Sequence, residues 1–244
     1  MSRARPLLRL DEPVGGWHRP WPQAFEIARA LPPGSWTLVG GLMVQLHALL
    51  AGLQPSRPTT DVDAALHLET GSVTYADAVA DLRRLQYELD RSAMHTYRFQ
   101  RGDDTIDLMT ADHLAPSLRA RFAGKDVFAV TGGTQALRRT MDVDVATADD
   151  IVRLSVPNIH GALVLKGAAY LADGRDRDRH ASDAVMLLAC LTDSREVLDR
   201  LAGSDGKRLR ALVGALDAPA PWSDATRDVE ALARTALAEL RSAL

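Results

Sequence analysis

The chain has 244 residues, of which 46% are hydrophobic and 25% charged, and its formal net charge at pH 7 is −3. This length can bury a core in one large domain or two small ones, and the composition is that of an ordinary globular protein. The small net charge excludes a surface that is basic throughout, so any nucleic-acid contact must use a local patch. The single cysteine, Cys190, excludes an internal disulfide. Because the chain lacks a bilayer-spanning apolar run and a signal-peptide core, we expect a cytoplasmic protein without membrane contact.

The first part of the chain alternates strand-like and helix-like patterns, which indicates an α/β domain. Residues 1–22 are rich in proline and glycine and are expected to form an irregular arm. Apolar residues with a period of about 3.6 predict helices, and those with a period of about two predict strands. In chain order the predicted elements are helix 22–31, strand 35–39, helix 42–53, strand 61–68, helix 75–89, a hairpin of 94–100 and 104–110, and strands 126–130 and 141–146.

The second part of the chain, from about residue 157, shows helix-like patterns throughout. The predicted helices are 159–173, 180–191, 195–202, 206–216 and 228–244. We therefore place a domain boundary near residue 155, with an α/β half before it and a helical half after it.

Two aspartates, Asp61 and Asp63, alternate with apolar residues in the strand-like segment DVDAAL. Residues i and i+2 of a strand project from one face, where two like charges are unfavourable unless a cation separates them. Asp107 has a similar setting between Ile106 and Leu108 in DTIDLMT. If the two strands are neighbours, three carboxylates converge. Such a set suits magnesium, with two ions clamping an in-line displacement at phosphorus.

The glycine pair Gly40-Gly41 separates the apolar strand from the following helix. A glycine turn at a helix N-terminus exposes backbone N–H groups and lets phosphate oxygens approach the backbone. The sequence matches neither the P-loop nor the G-x-G-x-x-G pattern. The glycines are therefore predicted to be the phosphate-binding half of a site whose other half is acidic.

Other acids have simpler interpretations. Asp142 and Asp144 form a second D-x-D in MDVDV, for which we favour a half-exposed strand with its carboxylates in water. Asp103 and Asp104 lie in the predicted hairpin turn and are expected to face solvent. The same solvent-facing interpretation is open for Asp107. The order of glycine pair, helix, D-x-D and further strand aspartate is what distinguishes Asp61 and Asp63 from the second D-x-D.

The stretch VGGLMVQLH…RPTTDVDAAL resembles the nucleotidyltransferase superfamily of DNA polymerase beta, and within it the bacterial branch of AbiEii-type toxins of toxin–antitoxin and phage-defence systems. The positions that match the shared pattern are Gly40, Gly41, Arg57, Thr59, Asp61 and Asp63. The resemblance implies Mg²⁺-dependent nucleotide transfer from a nucleoside triphosphate (NTP), with metal bound by Asp61 and Asp63. It also implies that Asp107 is the third acid, which polarises the attacking hydroxyl. Leu42 stands where many relatives carry Ser or Thr, so backbone N–H groups would make more of the phosphate contacts.

The resemblance continues in LKGAAYLADGRDRDRHASDAVML, which is similar to a later motif of the family. It implies that Lys166 reaches triphosphate oxygens and that Asp183 orients Lys166 or a nearby basic group. Arg177 and His180 are further candidates for contact with phosphate or acceptor, although the alternating signs of this turn are also typical of a solvated surface. Arg57 is interpreted either as a phosphate ligand or as a loop charge.

These observations predict an α/β (α+β) nucleotidyltransferase domain with a mixed sheet over 1–155, followed by an α-helical C-terminal domain over 156–244. The predicted enzyme transfers a nucleotide to an acceptor hydroxyl, and the resemblance implies RNA, such as a tRNA end, and a toxin restrained by an antitoxin protein. The alternatives are an aminoglycoside-type small acceptor and an inactive nucleotide-binding or interaction module. The candidate basic residues for RNA are Arg119, Arg121, Lys125, Arg138 and Arg139.

Overall fold

The computed structural model describes residues 6–244 and divides into two compact units. The first unit contains the chain up to Leu42 and Thr59–Pro157, and the second contains Met43–Pro58 and Asn158–Leu244. The chain therefore passes into the second unit inside one helix, returns at Thr59, and leaves the first unit again after Pro157. None of the helices described is long and apolar enough to cross a membrane.

The strands of the described chain all belong to the first unit. Their bounds are β1 Leu7–Leu10, β2 Trp36–Leu38, β3 Asp61–Leu66, β4 Glu88–Leu89, β5 Arg98–Arg101, β6 Asp104–Ala111, β7 Arg121–Phe122, β8 Lys125–Asp126, β9 Ala129–Val130, β10 Thr140–Ala146 and β11 Ile151–Pro157. The helices are α1 Trp21–Ala30, α2 Gly40–Leu50, α3 Tyr75–Arg84, α4 Gly133–Leu137, α5 Ile159–Ala172, α6 Arg177–Ala189, α7 Ser194–Leu198, α8 Asp205–Ala215 and α9 Arg227–Ala243.

The main sheet has six strands in the order β2-β3-β6-β5-β4, with β9 also paired to β6. β3 runs parallel to β6, whereas β2, β4 and β5 pair antiparallel with their neighbours. The sheet is thus mixed, as predicted. Val62, Ala64 and Ile106 are fully buried on these central strands, and α1 contacts β3 and α3 in the same unit.

A smaller sheet has the order β1-β10-β11, with β1 parallel to β10 and β11 antiparallel to it. β11 also contacts β2 of the main sheet. At this contact the Thr37 hydroxyl lies 3.0 Å from the Ser155 hydroxyl and 2.7 Å from His67 Nε2, and all three side chains are buried. A buried polar chain of this kind satisfies groups that would otherwise be costly to remove from water.

The second unit is built from α5–α9 together with most of α2. α6 packs against α5 and α9, and α8 packs against α5. Gly167 permits the close contact of α5 with α8, because a Cβ at this position would lie 2.6 Å from the backbone oxygen of Arg208. Asn158 and Thr226 cap α5 and α9 by accepting backbone N–H bonds, which fixes where these helices begin. An α/β unit and a helical unit were both expected from the periodicities.

Three local predictions differ from the structure. The arm contains a strand, β1, whose backbone partners come from the distant β10. β11 follows β10 in a segment for which we predicted no strand. The helix predicted over 75–89 ends at Arg84, because Gln86 adopts a positive φ of 67° and turns the chain into β4.

Candidate active site

Three carboxylates meet on one side of the main sheet. Asp61, Asp63 and Asp107 each offer an oxygen, and these atoms all lie within 4.8 Å of one another. We call this set the carboxylate triad. Among the residues described, no other set of His, Cys, Asp and Glu side chains is grouped closely enough for a metal ion. Asp107 is buried, while Asp61 and Asp63 are half-buried, so the triad is partly exposed to solvent through the latter two.

Strand register explains the convergence. In the parallel pair of β3 and β6, Asp63 lies opposite Asp107 and Asp61 lies opposite Thr105. The neighbours Val62 and Ala64 are fully buried on the other face, so the period of two forces the aspartates to the triad face. The sequence predicted the alternation, and it predicted the convergence on the condition that the two strands are neighbours. β3 and β6 are neighbours in the structure, which brings Asp61, Asp63 and Asp107 together.

The glycine pair is required by the side chains of β3 and the loop before it. Gly40 begins α2 with a φ of +67°, and a Cβ there would lie 1.7 Å from Asp63 Oδ2 and 2.7 Å from Asp63 Cβ. A Cβ on Gly41 would lie 2.5 Å from the Thr59 hydroxyl oxygen. The first backbone atoms of α2 therefore lie directly against Asp63. The positive end of the helix dipole favours this carboxylate and would equally favour a phosphate.

Thr59 contacts the triad rather than pointing into solvent. Its hydroxyl donates a hydrogen bond of 3.0 Å to Asp61 Oδ1, and the residue is 8% exposed. This bond fixes the orientation of one triad carboxylate. In the sequence Thr59 is one of the positions that match the nucleotidyltransferase pattern, and the structure gives its hydroxyl this specific carboxylate partner.

Arg98 was not predicted as a site residue, yet it makes a two-point contact to one member of the triad. Its Nε and Nη2 donate hydrogen bonds of 2.8 and 2.7 Å to Oδ1 and Oδ2 of Asp107. Its Nη2 also lies 3.9 Å from Asp61 Oδ2. The bond with Asp107 raises the pKa of Arg98 above its ordinary value. The hairpin predicted from the sequence could have revealed this pair. With Arg101 opposite Asp104 at the turn, the antiparallel register places Arg98 opposite Asp107.

Tyr75 is buried against β6, the strand that carries Asp107. The Tyr75 hydroxyl donates a 3.0 Å hydrogen bond to the Leu108 carbonyl, and the residue is 4% exposed. Burial raises the pKa of Tyr75, and the negative charge of Asp107 raises it further. Tyr75 is thus a neutral phenol that supports the strand behind the acids.

The second unit holds its own buried ion cluster. Lys166 Nζ donates to Asp183 Oδ2 at 2.6 Å, and Arg57 Nη2 donates to Asp183 Oδ1 at 3.0 Å. Lys166 and Asp183 are 5% and 4% exposed. Burial alone would raise the pKa of Asp183, but attraction from Lys166 and Arg57 outweighs it, so this pKa lies below its usual range. Asp183 therefore orients both cations, and Arg57 is more than a solvated loop charge.

His180 and Arg177 lie next to this cluster in the sequence and have ordinary partners. Burial lowers the pKa of His180, and the nearby positive charge of Lys166 lowers it further. His180 Nε2 lies 3.9 Å from Asp173 Oδ2, and the Arg177 guanidinium stacks 5.6 Å from the Tyr170 ring centre. His180 Nδ1 is buried and has no hydrogen-bond partner among the described residues.

Asp144 and Asp104 were expected to face water, and both have protein partners instead. Asp144 of the second D-x-D pairs with Arg153 at 2.7 and 2.9 Å across β10 and β11, instead of standing free in water. Asp104 was expected to face solvent and does not. It is 7% exposed and accepts hydrogen bonds from Gln23 and Arg101, because the turn folds it back against α1.

Comparison with known proteins gives limited similarities. No family model and no curated protein matches the chain. A crystal structure of an antigenic nucleotidyltransferase-like protein from Paracoccidioides brasiliensis is similar at 16% identity, covering 74% of this chain and 79% of that chain, with a TM-score of 0.46. The antibiotic-resistance factor ANT(2'')-Ia is similar in its solution structure at 12% identity, with 90% and 89% of the two chains covered and a TM-score of 0.37. Its crystal structure with adenylyl-2''-tobramycin gives 16% identity, 90% and 92% coverage, and a TM-score of 0.31.

Proposed function

We propose that the first unit is the catalytic domain of a Mg²⁺-dependent nucleotidyltransferase. The observation that carries the proposal is the carboxylate triad on two parallel strands, with the N-terminus of α2 packed against one of its members. Such a triad presents hard oxygen donors, which are the ligands that Mg²⁺ prefers. The side chains present therefore fit a divalent ion, held by Asp61, Asp63 and Asp107.

When bound, the metal would neutralise negative charge that develops on the transferring phosphate and on the leaving group. The chain's own residues then have separate tasks. Gly40 keeps space for Asp63 at the N-terminus of α2. The backbone N–H groups of this terminus are the proposed contacts of phosphate oxygens. Thr59 holds Asp61 in orientation through its hydroxyl. Catalysis by such a site depends mainly on positioning and electrostatics.

The proposed reaction is an in-line displacement at the α-phosphorus of an NTP. The acceptor oxygen forms a bond to phosphorus, the bond from phosphorus to the bridging oxygen breaks, and pyrophosphate leaves with that electron pair. The hydroxyl proton is lost to the carboxylate of Asp107, which is the most buried member of the triad. Lys166 remains the proposed ligand of triphosphate oxygens, oriented by its ion pair with Asp183.

For the acceptor we propose an RNA hydroxyl, such as a tRNA end, with the protein acting as a toxin that an antitoxin restrains. The motif resemblance supports this choice. Three of the predicted basic residues, Arg119, Arg121 and Arg138, are exposed and so accessible to a phosphate backbone. Lys125 is not accessible in the same way, because its ammonium donates to the Arg91 and Ala93 carbonyls.

The test is incorporation of label from each α-labelled NTP with Mg²⁺ into total RNA, protein extract or aminoglycosides, supplied separately. Label on RNA supports the proposal, label on an aminoglycoside replaces it with the small-acceptor alternative, and label on protein moves the acceptor to a third class. Asp63→Ala should abolish transfer, whereas Asp142→Ala, in the second D-x-D, should not. Absence of label in every arm would refute the enzyme assignment.

The toxin role has its own test. Expression of the wild-type chain should arrest growth of a bacterial host, and expression of Asp63→Ala at the same level should not. Equal growth arrest by both chains would refute a toxic nucleotidyl transfer.

A further inference from the structure

Arg98 forms hydrogen bonds with Asp107, one of the carboxylates proposed to bind the metal. Its guanidinium donates to both oxygens of Asp107, at 2.8 and 2.7 Å, and lies 3.9 Å from Asp61. The contact is a two-point pair, the strongest ordinary arrangement between arginine and a carboxylate. One positive charge thus offsets part of the repulsion among three clustered acids.

A divalent ion held by the triad and a guanidinium on Asp107 would repel each other at short range. The Arg98 side chain is 35% exposed, whereas that of Asp107 is 8% exposed, so the arginine has an open side towards water and the aspartate does not. We propose that Arg98 is the resting counter-ion of the triad, which competes with the divalent ion for Asp107 and releases it when the ion binds. This inference rests on the metal site proposed above.

The exchange concerns the metal-binding step. While both Asp107 oxygens accept hydrogen bonds from Arg98, the carboxylate is a weaker metal ligand. Release of Arg98 removes both hydrogen bonds, so that these oxygens can ligate the divalent ion. Arg98 is therefore a positioning residue that controls when Asp107 is available to the metal.

The chain offers a matched control pair. Arg153 makes the same two-point contact to Asp144, at 2.7 and 2.9 Å, across neighbouring antiparallel strands of the same unit. Asp144 belongs to no metal-capable group among the described residues. Removing Arg153 deletes an arginine–aspartate strand pair without touching the triad, so it separates loss of an ion pair from release of a metal ligand.

The first experiment is calorimetric titration with MnCl₂ of the wild type, Arg98→Met, Arg98→Lys and Arg153→Met. A neighbouring opposite charge changes the proton affinity of an aspartate by about 10- to 1,000-fold, so Arg98→Met should bind Mn²⁺ about tenfold more tightly or better. Arg98→Lys keeps the charge but loses the two-point contact and should lie between Arg98→Met and the wild type. Arg153→Met should match the wild type.

The outcomes separate this inference from the proposed function. If the wild type binds Mn²⁺ and Arg98→Met binds it no more tightly, the counter-ion role is wrong while the metal site stands. If neither binds, the metal site is wrong and the counter-ion role falls with it. If only Arg98→Met binds, the competition is stronger than proposed and the inference is supported.

The second experiment follows the Arg98 hydrogen bond itself in the folded wild type. The Nε–H signal of Arg98, assigned by its loss in Arg98→Lys, should be protected from exchange without metal because it donates to Asp107. Titration with Mg²⁺ should remove that protection, while the Nε–H of Arg153 stays unchanged. An Arg98 signal that keeps its shift and protection when Mg²⁺ saturates the site would overturn the proposal.

Discussion

Substitution of Gly40 by alanine tests the contact between α2 and the triad. Gly40 has a φ of +67°, and a Cβ at this position would lie 1.7 Å from Asp63 Oδ2, 2.4 Å from Asp63 Cγ and 2.7 Å from Asp63 Cβ. Rotation of the Asp63 side chain relieves the first two contacts but not the third, because its own Cβ is fixed to β3. The backbone of β3 or α2 must therefore move, and Asp63 must leave the triad.

The expected loss of folding free energy in Gly40→Ala has two contributions. A left-handed conformation costs a residue with a Cβ about 1–2 kcal/mol, and an off-rotamer Asp63 adds about 0.5–1.5 kcal/mol. Gly71 provides the control, since its φ is +68° and a Cβ there meets nothing within 4 Å. Gly71→Ala should show only the first part, so Gly40→Ala should be the more destabilised variant by about 1 kcal/mol.

Urea unfolding of both variants measures this difference, and Mn²⁺ titration reads the site itself. Gly40→Ala should lose Mn²⁺ affinity and nucleotide transfer, whereas Gly71→Ala should keep both. If Gly40→Ala unfolds with the same free energy as Gly71→Ala and binds Mn²⁺ like the wild type, the close packing of α2 against Asp63 does not shape the site.

Further predictions concern the hydroxyl on the triad and the ion cluster of the second unit. Thr59→Val keeps the shape but removes the bond to Asp61, so unfolding should cost about 1 kcal/mol less in urea titrations and Mn²⁺ should bind more weakly; unchanged affinity would contradict an orienting role. Asp183→Asn leaves the buried Lys166 without its anion, which should destabilise the protein by about 3–5 kcal/mol at pH 7, and a loss below 1 kcal/mol would contradict this. Because the folded pKa of Asp183 is lowered by Lys166 and Arg57, its stabilisation is complete above the unfolded value of about 3.9 and is lost as the pH falls through the lower folded value. The difference between wild type and Asp183→Asn should therefore narrow below about pH 4 in unfolding measurements, and a constant difference would contradict the linkage.

The central part of the site could be predicted because it depends on a local pattern. The period of two fixes which side chains share a face within β3 and within β6. The meeting of Asp107 with Asp61 and Asp63 also needs these two strands to be neighbours, which the sequence could only assume and the β3–β6 register supplies. The glycine pair could be placed near the start of a helix because it separates the apolar strand from a segment with helical periodicity. The pattern does not explain why both positions must be glycine. That reason is the contact of Gly40 with Asp63 and of Gly41 with Thr59, which exists only in the folded chain.

Other features depend on residues far apart in the chain and could not be predicted from the sequence. β1 is mostly exposed, and its hydrogen bonds come from β10, more than a hundred residues later, so no local period marks it. Asp104 is in a turn by sequence but is buried by Gln23 of α1, a contact that no hairpin rule includes. Arg98 is intermediate, because the hairpin register predicts its partner once the turn is accepted.

Binding of a divalent ion by Asp61, Asp63 and Asp107 is the property on which the proposed activity depends most directly. Electron paramagnetic resonance of Mn²⁺ measures free and bound ion in the wild type, in Asp63→Ala and in Asp142→Ala, which removes an acid from the second D-x-D. We expect saturable binding by the wild type and by Asp142→Ala, and its loss in Asp63→Ala with the fold retained by circular dichroism. Equal binding by Asp63→Ala and the wild type, or none by the folded wild type, would contradict the account.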